Sequence, residues 1–158
     1  MAVFLHEIGR YSLADVESAI ERGLDALGVD LSGKRTAFIK PNLVIPASPK
    51  TAVVTHPVVV EALVNVLRRR GLSSISMGDG PGVGLDVDSV FRTTGYDRLA
   101  KRLGVELVNL CGANVVTVST RPDYSPNGRP YVFVSQVVAN QFGSDVSIIS
   151  SWGRGEIS

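Results

Sequence analysis

Cysteine is nearly absent: Cys111 is the single one in 158 residues. A lone thiol excludes an internal disulfide. It also excludes a cysteine-built zinc or iron–sulfur site within this chain. Histidine is scarce, with only His6 and His56. No catalytic triad, zinc-spacing motif or carboxylate pair can be picked out. No apolar run approaches the roughly 20 residues that span a bilayer. The start, Met1 to Tyr11, has no cationic flank ahead of a long apolar stretch, so neither a membrane anchor nor a signal peptide is expected. The expected location is the cytoplasm. An excess of one charge is lacking too: Lys plus Arg is 16, Asp plus Glu is 15, and the net charge is +1. That balance argues against a nucleic-acid partner and against an acidic disordered tail.

What is present is ordinary for one globular core: 44% apolar and 20% charged residues. Strand-like and helix-like segments alternate. Ala2–Glu7 reads as a short strand. Ser12–Leu27 reads as an amphipathic helix, with Leu13, Val16, Ile20, Leu24 and Leu27 at helical spacing, Ser12 as cap and Gly28 as stop. Thr36–Lys40 is a strand ended by Pro41, and residues 41–55 form a loop. Pro57 opens a helix that runs to about Arg70, and its Arg68–Arg70 end reads as solvated. Ser73–Met77 is a strand, with short helices at about Asp86–Thr93 and Tyr96–Leu103. Strands are expected at Glu106–Leu110, Val115–Ser119, Tyr131–Val134 and Val146–Ser150. The second and third of these form a hairpin across the Arg121–Pro130 turn. Gln136–Gln141 is at least one helical turn. This alternation predicts an α/β fold: a mostly parallel sheet flanked by helices, Rossmann-like, in one domain over 1–150. Ser151–Ser158 has no periodicity and reads as a tail. A buried strand that ends in a tail, with no helix to cover it, reads as a domain incomplete at its C-terminus.

In an open parallel sheet, ligands bind beyond the carboxyl ends of the strands. Two such ends carry chemistry. One is Lys40-Pro41-Asn42. The other is Gly78-Asp79-Gly80-Pro81-Gly82-Val83-Gly84. Glycines let successive N–H groups point at one anion, and a helix start near Asp86 would add a positive pole. The loop is neither a dinucleotide fingerprint nor a P-loop. Gly78, Gly80 and Gly82 are therefore candidate ligand contacts, with a tight strand-to-helix turn as the plain alternative. Asp79 could accept from a hydroxyl, hold a divalent cation or act as a base; the alternative is a turn aspartate. Lys40 could pair with an anion or with Asp79. Asn42 could contact ligand or brace its loop. His56, at a helix start, is a candidate metal ligand or proton carrier, or else a cap. His6 and Cys111 read as structural, and nothing selects Thr51 or Thr55.

Four segments in order carry a resemblance: Ile39-Lys40-Pro41-Asn42-Leu43-Val44; Thr55-His56-Pro57; Met77-Gly78-Asp79-Gly80-Pro81-Gly82; and Phe91-Arg92-Thr93-Thr94-Gly95-Tyr96. Together they resemble the domain-of-unknown-function family numbered 362, from about residue 2 to about 150. Members often carry an appended ferredoxin-like iron–sulfur module. The resemblance supports an α/β fold and points at Lys40, Asn42, His56 and Asp79. It supplies no substrate. In that family a Pro-Lys-x-Lys-Thr-His stretch and a second half follow the strand like Val146–Ser150. Here Ser151-Trp152-Gly153-Arg154 stands there. The chain thus resembles an N-terminal portion, with any redox link carried by a module outside it. A looser similarity to nickel-pincer lactate racemases is one of fold organisation only.

The expected function is binding of a small anionic molecule or a divalent metal at the Lys40/Asn42/His56/Asp79 rim. Asp79, Lys40 and His56 are the candidate catalytic groups, and Asp79 and His56 the candidate metal ligands. The isolated chain is not expected to be a competent enzyme. The alternative is a non-catalytic interaction module, docking a second chain or the missing half, or an inactive fragment. Asp79→Asn is expected to remove binding and leave thermal stability nearly unchanged.

Overall fold

A computed structural model describes residues 3–82 and 84–111, together with the backbone of three later strands at 115–119, 131–135 and 148–151. The order is α1 (Leu13–Ala26), β1 (Thr36–Pro41), a 3-10 turn (Pro49–Thr51), α2 (Pro57–Arg69), β2 (Ser74–Asp79), α3 (Val87–Thr94), α4 (Tyr96–Leu103), β3 (Glu106–Asn109), β4 (Val115–Ser119), β5 (Tyr131–Ser135) and β6 (Ile148–Ser151). Four strands form a parallel sheet in the order β3-β2-β1-β6. The α/β arrangement is the one expected. β4 and β5 pair antiparallel, from Val115 opposite Ser135 to Ser119 opposite Tyr131, which is the expected hairpin. The Arg121–Pro130 turn, the helical turn at Gln136–Gln141 and residues 152–158 lie outside the described residues.

Strand periodicity builds the core. Ala37 and Ile39 of β1 and Ile75 and Met77 of β2 alternate onto one face. They pack with Val60, Leu63, Val64 and Leu67 of α2 and with Tyr96, Leu99 and Ala100 of α4 in one cluster. α2 is buried on several sides because α1 lies along it as well as the core. That explains why its apolar residues wrap much of the helix.

The α1–α2 seam revises two expectations. The buried stripe of α1 is Val16, Ala19 and Gly23, whereas Leu27 is exposed. Arg69 pairs with Glu17 and Glu21, and Arg70 with Glu21 and Asp25. The arginine end of α2 is therefore an interhelical charge seam, not only a solvated end. Water reaches these pairs and screens them, so each adds little to stability. Ser12 takes the N-cap position of α1 with extended backbone but makes no side-chain cap bond.

Two boundaries matter for function. No strand forms in the described part of the first segment: the Phe4 ring comes to rest over Gly23 of α1, while Val3 and Leu5 face solvent. A short apolar run does not by itself distinguish a strand from a packing segment. β2 runs two residues beyond Met77, because Gly78 and Asp79 continue to pair with Val108 and Asn109 of β3. Gly78 and Asp79 are thus strand residues, and the loop begins at Gly80.

Candidate functional site

β2 and β3 lie to one side of β1, and β6 lies to the other. The chain reverses its direction of sheet growth at β1, so the crevice at the carboxyl end of β1 is the topological switch point. Lys40 and Pro41 end β1 there, in register with Ser150 and Ser151 of β6.

The Asp79 carboxylate is the organising group of this end. It is buried, at 2% exposure. Oδ2 accepts the Leu43 N–H at 2.7 Å. Lys40 Nζ stands 2.6 Å from Oδ1, and the Lys40 side chain is 39% exposed. That ammonium is the compensating charge for Oδ1, which accepts no hydrogen bond of good angle. The expectation that Asp79→Asn leaves stability unchanged therefore needs correcting. A buried carboxylate that holds both a main-chain N–H and a lysine is part of the fold as well as of the rim.

The other segments converge on the same place. The Asn42 N–H donates to Thr55 Oγ1 at 2.9 Å, and the Thr55 N–H donates to the Asn42 carbonyl at 3.0 Å. The 41–55 loop is thus closed at its neck by main chain, and Asn42 braces it through its backbone rather than its side chain. The fully buried Tyr96 donates its hydroxyl to the Thr55 carbonyl at 3.2 Å. Burial, and secondarily the Asp79 charge, push the Tyr96 phenol well above its ordinary value, so it stays a neutral donor. Nothing local in the sequence marks Thr55 or Tyr96 for this role. Their partners lie 13 and 41 residues away, respectively, which no local pattern reports.

The glycine loop offers fewer free donors than its composition suggests. A Cβ on Gly78 would lie 2.2 Å from the Val108 carbonyl oxygen, so this glycine is explained by strand contact. The Gly82 N–H donates to the Val44 carbonyl at 3.4 Å, lacing the two loops together. Pro81 has no N–H. Gly80 remains exposed at the rim. The start of α3 does not offer an anion its positive pole. Asp86 caps it, with Oδ1 accepting the Asp88 N–H at 3.2 Å, and Asp88 adds a second carboxylate to that turn.

His56 is the N-cap of α2. Its Nδ1 accepts the Val58 N–H at 3.3 Å, and its ring stacks on Tyr11 with centroids 4.1 Å apart and planes 6° from parallel. It makes no hydrogen bond or ion pair with Lys40 or Asp79 among the described residues. With Nδ1 accepting, the proton of the neutral ring is on Nε2. Burial holds the imidazole below its ordinary value near 6.5. A depressed histidine favours the folded state when neutral. Its contribution is whole above the ordinary value and is lost as pH falls through the lower folded value. Melting temperature is expected to drop between about pH 7 and pH 5 more steeply in the wild type than in His56→Asn, whose cap does not titrate. Parallel slopes across that range would show that His56 does not contribute this way.

The sequence also nominated structural residues. His6 Nε2 lies 2.7 Å from an Arg22 guanidinium nitrogen, and exposed Cys111 places Sγ 3.5 Å from the Pro81 carbonyl. No group of three His, Cys, Asp or Glu side chains arranged to hold a metal occurs among the described residues. No helix of the described residues is long and apolar enough to cross a membrane.

Among known proteins, no curated protein and no solved structure matches the chain. A family model does match, over residues 38–139, from the middle of β1 past β5. The match takes in Lys40, Asn42, Thr55, Asp79 and Tyr96, so the polar cluster lies within family sequence. The chain belongs to the family described as Domain of unknown function (DUF362).

Proposed function

We propose that this domain binds a small anionic molecule at the carboxyl end of its parallel sheet, with the Lys40 ammonium as the recognising cation and the Gly80 backbone as a neighbouring donor. One observation carries the reading. Lys40 is half in solvent at the switch point, and a buried carboxylate 2.6 Å away fixes its position. An ammonium has three donors, so the Asp79 pair leaves others for a ligand. Asp79 is then a positioning residue that holds Lys40 and Leu43. Asn42 supplies the closed neck of the adjoining loop.

Binding is favoured here over metal-dependent catalysis by what His56 does. Its Nδ1 is taken by the cap and its ring by Tyr11. Asp79 and His56 as a metal pair, and Asp79, Lys40 and His56 as a catalytic set, thus have less support than Lys40 as an anion contact. An iron–sulfur cluster does not fit this chain, because one cysteine cannot ligate it. A redox role would rest on the family resemblance and on a module outside residues 1–150.

The test is titration with inorganic phosphate, followed by amide and lysine side-chain NMR shifts. Saturable shifts at Lys40 and Gly80 are expected, and Lys40→Met should weaken binding about tenfold or more. Saturable binding that leaves those signals unmoved, or that Lys40→Met does not weaken, would overturn the reading, as would no saturation at millimolar phosphate.

A further inference from the structure

A cavity of about 750 Å³ lies between the N-terminal segment and α1. Lys40, Asn42 and Asp79 do not line it. Its walls are mainly apolar, with Phe4 and Ile8 from the segment, Val16 and Ile20 from α1, and Val59 from α2. The size falls in the range of about 300–1,000 Å³ usual for small-molecule pockets. The segment that roofs it forms no strand, and Leu5, which lines it, is 93% exposed. The apolar surface therefore continues out to the mouth.

The charge of the lining is one-sided. Among the described residues, Arg10 is the one formally charged residue that lines the cavity, and no Asp or Glu does. Arg10 makes no ion pair among the described residues. The lining His6 is engaged elsewhere, with its Nε2 2.7 Å from an Arg22 guanidinium nitrogen. Glu7 and Asp15 belong instead to a neighbouring recess of about 240 Å³, together with Arg22. An apolar pocket with one arginine, outside any ion pair among the described residues, in its lining is complementary to a molecule with an apolar body and one anionic end.

We propose that this cavity binds a single-chain amphipathic carboxylate, its hydrocarbon chain along α1 and its carboxylate on Arg10. The site is separate from the Lys40 rim.

Calorimetric titration of the full chain with dodecanoate, dodecanol and dodecyltrimethylammonium, all below micelle formation, tests it. One dodecanoate per chain is expected, bound more tightly than the cationic analogue. Arg10→Gln, a change at an exposed residue, should weaken dodecanoate about tenfold or more and leave dodecanol unchanged. Ile20→Trp should fill the cavity and reduce both. Should Ile20→Trp not fold, the Arg10→Gln comparison decides alone. No saturable binding, equal affinity for the three probes, or dodecanoate affinity unchanged in Arg10→Gln would each overturn the proposal. Because Lys40→Met should leave dodecanoate binding intact, the two sites can fail separately.

Discussion

Asp79→Ala is expected to lower the free energy of unfolding by about 3 kcal/mol, the lower end of the range for breaking a buried ion pair. The lower end applies because Lys40 is 39% exposed and can turn its ammonium to water once its partner is gone. What cannot relax as easily is the Leu43 N–H. Leu43 is fully buried, and its amide loses its acceptor. A buried donor left without an acceptor costs about 1–3 kcal/mol by itself. That cost is part of the total, and for a chain of this size a loss of about 3 kcal/mol corresponds to a fall in melting temperature of about 6–12 °C. Asp79→Asn should lose less, because its amide oxygen can still accept from Leu43 while the charge on Lys40 goes unmatched. Urea unfolding of the three proteins checks the order wild type, Asn, Ala. A loss below about 1 kcal/mol in Asp79→Ala would mean the carboxylate does not hold the loop.

Gly78→Ala should be comparably damaging for an unrelated reason. The new methyl would lie 2.2 Å from the Val108 carbonyl oxygen and 2.9 Å from Val108 Cβ. Both are anchored in β3, so no flexible side-chain tip can swing aside. Relief requires β2 and β3 to separate where Gly78 and Val108 are paired. Overpacking of this kind costs about 1–3 kcal/mol and occasionally more, and a backbone obstacle places Gly78→Ala at about 3 kcal/mol. Gly80→Ala is the control. Its Cβ would come no nearer than 3.5 Å to Leu110 and Cys111, an ordinary contact. If the two alanine variants unfold at the same urea concentration, the strand contact does not explain Gly78.

The sequence was readable where chemistry is local. Alternation marks β1, helical spacing and Pro57 mark α2, and strand-end reasoning brings Lys40 and Asp79 to one edge, where they form an ion pair. The hairpin of β4 and β5 follows from two β-rich runs around a proline-rich turn. Reading failed where a distant partner decides. Gly78 and Asp79 resemble loop residues because Gly-Asp-Gly-Pro is turn-like, yet pairing with β3 extends the strand through them. His56 looks equally suited to a metal or a cap, and the Val58 N–H and the Tyr11 ring favour the cap. Tyr96 reads only as the start of a short helix, and its hydroxyl reaches the Thr55 carbonyl, at the neck of the loop that follows Lys40. The first segment looks like a strand because Val3, Phe4 and Leu5 are apolar, but Phe4 is taken by Gly23 of α1.

The coupling of Lys40 to Asp79 is the central claim, since it fixes the cation at the switch point and ties both loops to it. A double-mutant cycle of Lys40→Met, Asp79→Asn and the double variant, read by urea unfolding, measures that coupling directly. A coupling of about 1–2 kcal/mol is predicted, with the double variant less destabilised than the sum of the single changes. Additivity within about 0.3 kcal/mol would contradict the account, because Lys40 would then be an ordinary surface lysine and the rim would have no positioned cation.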